Sequence, residues 1–222
     1  MGNKARNIVI IGIVVIGVVT AVALNMRHNS DFSTHYDLDD VYVPMNLSAD
    51  EIKYLTGRAD SGDRPSKNIL SVAYEKGDGV TADKAKSFRL LQEAAEAGYP
   101  PACTDFGIKY FYGDGVEQDY RKAVYFFESA VNYGYDEAEY CLGVCYERGL
   151  GVDKNKAKAV ELYTRAAMQG NAWAQCNLGW CYKTGFGVKE NLDSAAFWFR
   201  KSAAQGDKTA AQNLTELTDD TL

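Results

Sequence analysis

A short phrase recurs four times at a constant interval of 36 residues, and this interval restricts the folds open to the chain. Each copy has a tyrosine, glycines three and five residues later, and then a valine, as in the stretch from Tyr182 to Val188. The first glycine of the phrase, the second glycine, and a third glycine later in each repeat occupy three sets of positions spaced by 36 residues. These columns are Gly77, Gly113, Gly149, Gly185; Gly79, Gly115, Gly151, Gly187; and Gly98, Gly134, Gly170, Gly206. A fixed period of roughly 20 to 50 residues is typical of stacked supersecondary units that bury one another's apolar faces. The sequence therefore predicts a solenoid of helical hairpins.

Each repeat contains the pattern of two helices. In the third repeat Ala138, Leu142, Gly143 and Tyr146 fall on one helical face, and the glycine allows a second helix to approach closely. The paired glycines of the phrase then end this first helix, because glycine adopts a positive φ without steric cost. A column of short polar residues follows and predicts the N-cap of a second helix: Asp83, Asp119, Asn155 and Asn191.

This pattern, A-x-x-x-L-G-x-x-Y-x-x-G-x-G-V followed by K-A and A-A-x-x-G, resembles the sel1-like repeat family, which is related to tetratricopeptide repeats. Repeats two to four follow it from Pro101 to Asp207, whereas the first repeat has Ser66 and Ser71 where alanine and glycine are expected. The resemblance implies an all-α fold, a right-handed superhelical α/α solenoid with four repeats over residues 64–207. Functions vary within the family, so function is argued separately from fold.

The N-terminal segment has the pattern of a membrane anchor. Ile8–Leu24 contains no charged residue and would reach roughly 25 Å as a helix, at the short end of a transmembrane span. Lys4 and Arg6 precede it, so residues 1–7 are predicted to be cytoplasmic and the repeats extracytoplasmic, in the periplasm if the protein is bacterial. Alternatively, a peptidase cuts near Ala23 and the protein is secreted.

Two further segments flank the repeats. Residues 25–63 contain an acidic patch and are predicted to form a tether. Within it, Ser48 and Glu51 form a capping-box pattern that predicts one short helix over Ala49–Leu55. Residues 208–222 are predicted to form a C-terminal capping helix, over Thr209–Leu217, and a tail, because they continue the repeat columns only in part.

The sequence offers little catalytic chemistry. The two histidines, His28 and His35, lie outside the repeats, so a hydrolytic triad has no base there. The double-glycine turns lack the third glycine of a dinucleotide-binding loop. The formal net charge of −6 argues against nucleic-acid binding, which needs a basic face. We therefore predict a protein that is not an enzyme and has no cofactor or metal.

Five cysteines remain as chemical candidates, all on predicted first helices: Cys103, Cys141, Cys145, Cys176 and Cys181. Equivalent cysteines one repeat apart would be roughly 9 or 10 Å apart, beyond the reach of a disulfide. We interpret the five as small buried hydrophobic residues. The alternative is an envelope enzyme or thiol-redox protein that uses them.

A partner-binding surface follows from the resemblance. In tetratricopeptide repeats the inner, concave surface is made by first-helix positions that do not define the repeat. The corresponding residues are Thr104, Ile108, Phe111, Tyr112, Tyr140, Val144, Glu147, Arg148, Trp173, Trp180, Lys183 and Thr184. Several are aromatic, as is typical of binding hot spots. The leading hypothesis is a non-catalytic, membrane-tethered adaptor that binds a protein or peptide there, and a second is an immunity or inhibitor protein that neutralises an exported effector.

Overall fold

The computed structural model describes residues 46–219, and every regular element within them is an α-helix. The ten helices of this part are α1 (Ala49–Asp60), α2 (Arg64–Lys76), α3 (Lys84–Glu96), α4 (Pro100–Tyr112), α5 (Tyr120–Val131), α6 (Asp136–Arg148), α7 (Lys156–Met168), α8 (Ala172–Thr184), α9 (Leu192–Ala203) and α10 (Lys208–Asp219). The four repeats supply α2 to α9, in which the even-numbered helices are first helices and the odd-numbered ones second helices. The predicted all-helical repeat solenoid is confirmed.

The chain divides into two compact units, with the division between Asp105 and Phe106 in the sequence of α4. In unit 1, α1 packs on α2 and α2 packs on α3. In unit 2 each helix from α5 to α9 packs on the next one along the chain, up to α10. The contacts that follow are all within one unit.

The predicted helix boundaries are present in the structure. α6 ends at Gly149, which has a φ of 76° and donates its N–H to the carbonyl of Cys145. α8 ends in the same way at Gly185. The second helices begin at N-cap side chains that accept from backbone N–H groups: Asp83, Asp119, Asn155 and Asn191.

In repeats two to four, a glycine in the middle of the first helix allows a large ring of the second helix to pack against its backbone. A Cβ atom built on Gly143 would lie 2.7 Å from Cε1 of Tyr163, closer than real contacts allow. Gly107 and Phe127, and Gly179 and Phe199, are related in the same way. The close approach predicted from the sequence is thus a property of repeats two, three and four.

The repeat pattern extends to the N-terminal side of repeat one. The sequence pattern predicted only a tether with one short helix over residues 25–63. A Cβ built on Gly151 would lie 2.3 Å from the carbonyl oxygen of Tyr120, at the start of the preceding second helix. A Cβ built on Gly79 would likewise lie 2.3 Å from the carbonyl oxygen of Leu47, two residues before α1 begins. Gly62, with a φ of 91°, extends the third glycine column by one step of 36 residues. Residues 47–62 therefore form the second half of a further repeat.

The two flanking helices are longer than predicted. The capping box is confirmed, since Ser48 Oγ accepts from the N–H of Glu51 and a Glu51 carboxylate oxygen accepts from the N–H of Ser48, but α1 continues to Asp60 rather than Leu55. α10 also extends beyond Thr209–Leu217 at both ends. It buries Leu217 in a cluster with Phe199 of α9.

The predicted membrane anchor, Ile8–Leu24, lies outside the described residues. Among residues 46–219 no helix combines the length and the apolar composition that crossing a membrane requires.

Candidate partner-binding surface

The twelve residues nominated from the sequence differ widely in exposure. Thr104, Ile108, Phe111, Tyr140, Val144 and Trp173 are buried; Tyr112, Glu147 and Lys183 are half-buried; and Arg148, Trp180 and Thr184 are exposed. A buried side chain cannot contact a partner unless the repeats rearrange. The surface available to a partner in this conformation therefore comes from the half-buried and exposed residues.

Tyr140 and Trp173 belong to the packing between helices in unit 2. Tyr140 is 2 % exposed and Trp173 is 4 % exposed. The ring centroid of Tyr140 lies 5.8 Å from that of Trp173 and 6.0 Å from that of Tyr163, so one cluster joins α6, α7 and α8. Burial raises the pKa of Tyr140 well above its ordinary value, so its hydroxyl stays protonated. These rings hold the helices together rather than offer a contact surface.

Trp180 is different, because 39 % of it is exposed on α8. The residues one and two repeats earlier in the same column, Val144 and Ile108, are both buried. The Trp180 ring lies 5.2 Å from the ring of Phe186, in the turn that follows α8. Together they form an aromatic surface at the end of this helix.

Two lysines border this aromatic surface, one in the turn before α7 and one at the first position of α7. The Nζ of Lys156 lies 4.9 Å from the centroid of the Phe186 ring, and that of Lys154 lies 5.9 Å from it. Such distances allow a cation–π attraction. The turn between the two glycines of repeat four therefore places an aromatic ring beside two positive charges.

The polar nominees make contacts within the protein. Glu147 accepts from the hydroxyl of Tyr163 at 2.6 Å. Lys183 donates to Glu216 at 2.9 Å, which ties α8 to α10, and this hydrogen bond lowers the pKa of Glu216. Thr184 donates its hydroxyl to the carbonyl of Trp180 at 2.9 Å. These side chains already have structural partners, which leaves Trp180 as the most available large side chain of the set.

Phe186, Lys154 and Lys156 were not nominated from the sequence, because only first-helix positions were considered. A signal was present in the position between the two turn glycines. It is occupied by Asp78, Asp114, Leu150 and Phe186 in successive repeats. The first-helix residues were nominated because they vary between repeats although the stacking does not require it. The turn position varies in the same way, so the same criterion would have nominated Phe186.

The five cysteines are buried, as predicted, and form no disulfide with one another. Burial raises the pKa of Cys103 to about 11 and that of Cys145 and Cys181 to about 12. The Sγ of Cys103 also donates to the carbonyl of Ala95 at 3.3 Å. The thiolate, which is the reactive form, is therefore disfavoured at these three positions at neutral pH.

A helical-repeat solenoid that places variable residues on its first helices and turns defines the class of α-helical protein-interaction repeats. The Sel1 repeat family model matches residues 66–99, 100–134, 136–171 and 174–207, so the chain belongs to the Sel1 repeat family. The resemblance seen in the sequence is confirmed.

Several solved structures are similar to this chain. One is a protective antigen of uropathogenic Escherichia coli with the same repeat fold, 33 % identical, with a TM-score of 0.72 over 77 % of this chain and 37 % of that chain. Another is a Sel1 repeat protein from Oxalobacter formigenes, 28 % identical, with a TM-score of 0.68 over 74 % and 65 %. The chain thus spans less than two thirds of the length of either protein. An immunity protein from Pseudomonas aeruginosa is 22 % identical, with a TM-score of 0.49 over 86 % and 65 %. No curated protein sequence matches this chain.

Proposed function

We propose that this protein is a non-catalytic adaptor that binds a segment of a partner protein on the side formed by its first helices. The observation that carries this proposal is the exposure of Trp180 in a column that is buried in the two preceding repeats. A large ring left open to water favours a contact surface, because tryptophan is enriched among the residues that dominate binding energy.

The surface that we assign to the partner is narrower than the set nominated from the sequence. It comprises the six nominees that are not buried: Tyr112, Glu147, Arg148, Trp180, Lys183 and Thr184. All six lie on first helices of unit 2. The buried nominees Tyr140 and Trp173 pack against each other and so join α6 and α8, two of the helices that carry this surface.

The membrane tether is the second part of the proposal. The charge-free run Ile8–Leu24 would anchor the chain, and Lys4 and Arg6 would hold the N-terminus in the cytoplasm. The repeats would then meet their partner outside the cytoplasm, in the periplasm of a bacterium. Cleavage near Ala23 would instead release them as a secreted protein.

Affinity capture from membranes with the full-length chain tests this function. Trp180→Ala is expected to abolish recovery of the partner while leaving the helical circular dichroism unchanged, because the side chain is partly exposed and contacts the ring of Phe186 in a turn. Phe197→Ala is the matched control, since Phe197 is an aromatic residue of α9 that is 47 % exposed on a second helix. Equal recovery of every captured protein by the wild type and the Trp180 variant would refute the proposal.

A Tyr140→Ala variant cannot serve this purpose. Tyr140 is buried against Trp173 and Tyr163, so its removal would destabilise the fold and confuse loss of structure with loss of binding. The role of an immunity or inhibitor protein remains a separate prediction. A toxin gene next to the gene for this protein would favour it.

A further inference from the structure

The charges of the repeats are unevenly distributed along the chain. Residues 111–146 contain seven acidic and two basic side chains, whereas residues 147–190 contain four acidic and seven basic ones. The whole chain has 30 acidic and 24 basic residues. A net positive stretch thus occurs within an acidic protein, in the turns and helices of repeats three and four.

Two of these lysines, Lys154 and Lys156, are exposed and have no carboxylate within ion-pair distance in the part of the chain that the structure describes. Some other lysines of unit 2 are paired, since Lys109 lies 2.8 Å from Asp114 and Lys183 lies 2.9 Å from Glu216. The contact recorded for both Lys154 and Lys156 is instead the ring of Phe186.

The position of this group of side chains is set by close packing of the backbone. A Cβ built on Gly187 would lie 2.5 Å from the carbonyl oxygen of Lys156, so the turn of repeat four rests directly on the start of α7. Phe186, next to that glycine, is thereby held close to both Lys156 and Trp180. We name Trp180, Phe186, Lys154 and Lys156 the Trp180 cluster.

We propose that the Trp180 cluster binds an acidic segment of the partner that carries an aromatic or large apolar side chain. This inference rests on the proposed adaptor function and names the chemistry of what the adaptor binds. The apolar side chain would lie on the rings of Trp180 and Phe186, and neighbouring carboxylates would pair with the two lysine amines. Charge complementarity supports this occupant, because the lysines are the component of the cluster that lacks an opposite charge.

A basic partner is disfavoured by the two lysines. A nucleic acid is disfavoured by the acidic protein around the cluster, since binding to phosphates requires a broad basic face. The acidic stretch that contains Asp31, Asp37, Asp39 and Asp40 of this chain is a competing occupant, because it also carries Phe32 and Tyr36. The experiment below separates these occupants.

The test measures fluorescence anisotropy of short labelled peptides titrated with the full-length chain in detergent. The probe peptide contains glutamates and phenylalanines; a second peptide has serines in place of the phenylalanines, and a third has lysines in place of the glutamates. We expect the first to bind at least about tenfold more tightly than either of the others, with an affinity that falls as salt is raised.

Substitutions locate the binding. Lys154→Glu combined with Lys156→Glu is expected to weaken binding of the first peptide at least about tenfold, and so is Phe186→Ala. Lys201→Glu is the matched control, because Lys201 lies over the rings of Phe197 and Trp198 on α9 and its replacement reverses the same charge beside aromatic rings. It should leave the affinity unchanged.

Three results would overturn the inference. One is equal binding of the three peptides, or tighter binding of a labelled single-stranded oligonucleotide. Another is an unchanged affinity in the double lysine variant. The last is a gain in affinity when Asp31, Asp37, Asp39 and Asp40 are all replaced by Asn, which would show that the chain's own acidic stretch occupies the cluster. If the double lysine variant still captures the partner from membranes and Trp180→Ala does not, the adaptor function stands and only this inference fails.

Discussion

At the scale of single residues, the repeats are held together by pairs of positions that complement one another in volume. Gly143 provides the space that the ring of Tyr163 fills, and the same pairing occurs in repeats two and four. In repeat one the corresponding positions are Ser71 and Leu91, both buried. A larger residue on the first helix thus coincides with a smaller one on the second, which is how a closely packed interior keeps its volume constant.

Gly143→Ala tests this pairing. The added methyl group would lie 2.7 Å from the Tyr163 ring, so we expect a loss of about 1–3 kcal/mol in the free energy of unfolding, measured by urea denaturation. Combining it with Tyr163→Leu should cost less than the two separate losses added together, because the second change frees the space. Gly57→Ala is the control, since Gly57 lies within α1 with no atom in the way, and it should raise stability by up to about 1 kcal/mol. Losses that simply add would contradict the pairing.

At the scale of elements, glycines at the same 36-residue spacing have two different roles. Gly151 has a φ of 73° and lies against the backbone of Tyr120, so it is required both for the turn and for stacking on the preceding repeat. Gly170 has a φ of 104°, but nothing lies within 4 Å of where its Cβ would be. The two glycine columns have the same spacing in the sequence, but of these two glycines only Gly151 contacts the preceding repeat.

Substituting these two glycines separates the roles. Gly170→Ala should lower the free energy of unfolding by about 1–2 kcal/mol, the cost of a positive φ in a residue with a side chain. Gly151→Ala should lower it by more than about 3 kcal/mol, because a backbone clash is added to the same strain. Thermal unfolding followed by circular dichroism measures both. Equal losses at the two positions would mean that stacking of the turn contributes nothing.

At the scale of the whole molecule, the described part begins and ends on half repeats. Residues 47–62 supply a second helix before repeat one, and α10 supplies a first helix after repeat four. Each covers the apolar face that the neighbouring repeat would otherwise expose, as terminal units of repeat proteins generally do. All five cysteines are buried, so none is available while the protein remains folded.

Thiol chemistry should therefore report global unfolding. At about pH 8 the folded chain is expected to resist iodoacetamide, and all five thiols should react once urea unfolds it. The folded pKa of Cys145, about 12, exceeds the ordinary value of 9.0, so the fold favours the protonated thiol. Its contribution to stability is complete below pH 9 and is lost as the pH rises toward 12. Fast labelling of the folded protein would instead revive the thiol-redox alternative.

The sequence by itself determined the period, the alternation of two helices, the capping residues and the membership of the family. These features depend on interactions between residues that are close in sequence, such as the positive φ of Gly149 and the side-chain cap of Asn155. The same residue types recur in each repeat, so the same local structure recurs. The capping box of Ser48 was predictable for the same reason. The half repeat before repeat one was missed, because its residues keep Gly62 but lack the phrase that marks the others.

Only the tertiary structure decided which of the variable residues meet solvent. Tyr140 and Trp180 both looked like surface aromatics in the repeat pattern, yet Tyr140 is buried between helices and Trp180 is exposed. Exposure depends on which helices pack over a position, and Tyr140 is covered by α7 of its own repeat and by α8 of the next one. The meeting of Phe186 with Lys154 and Lys156 has the same origin, since it arises where one turn rests on the next helix.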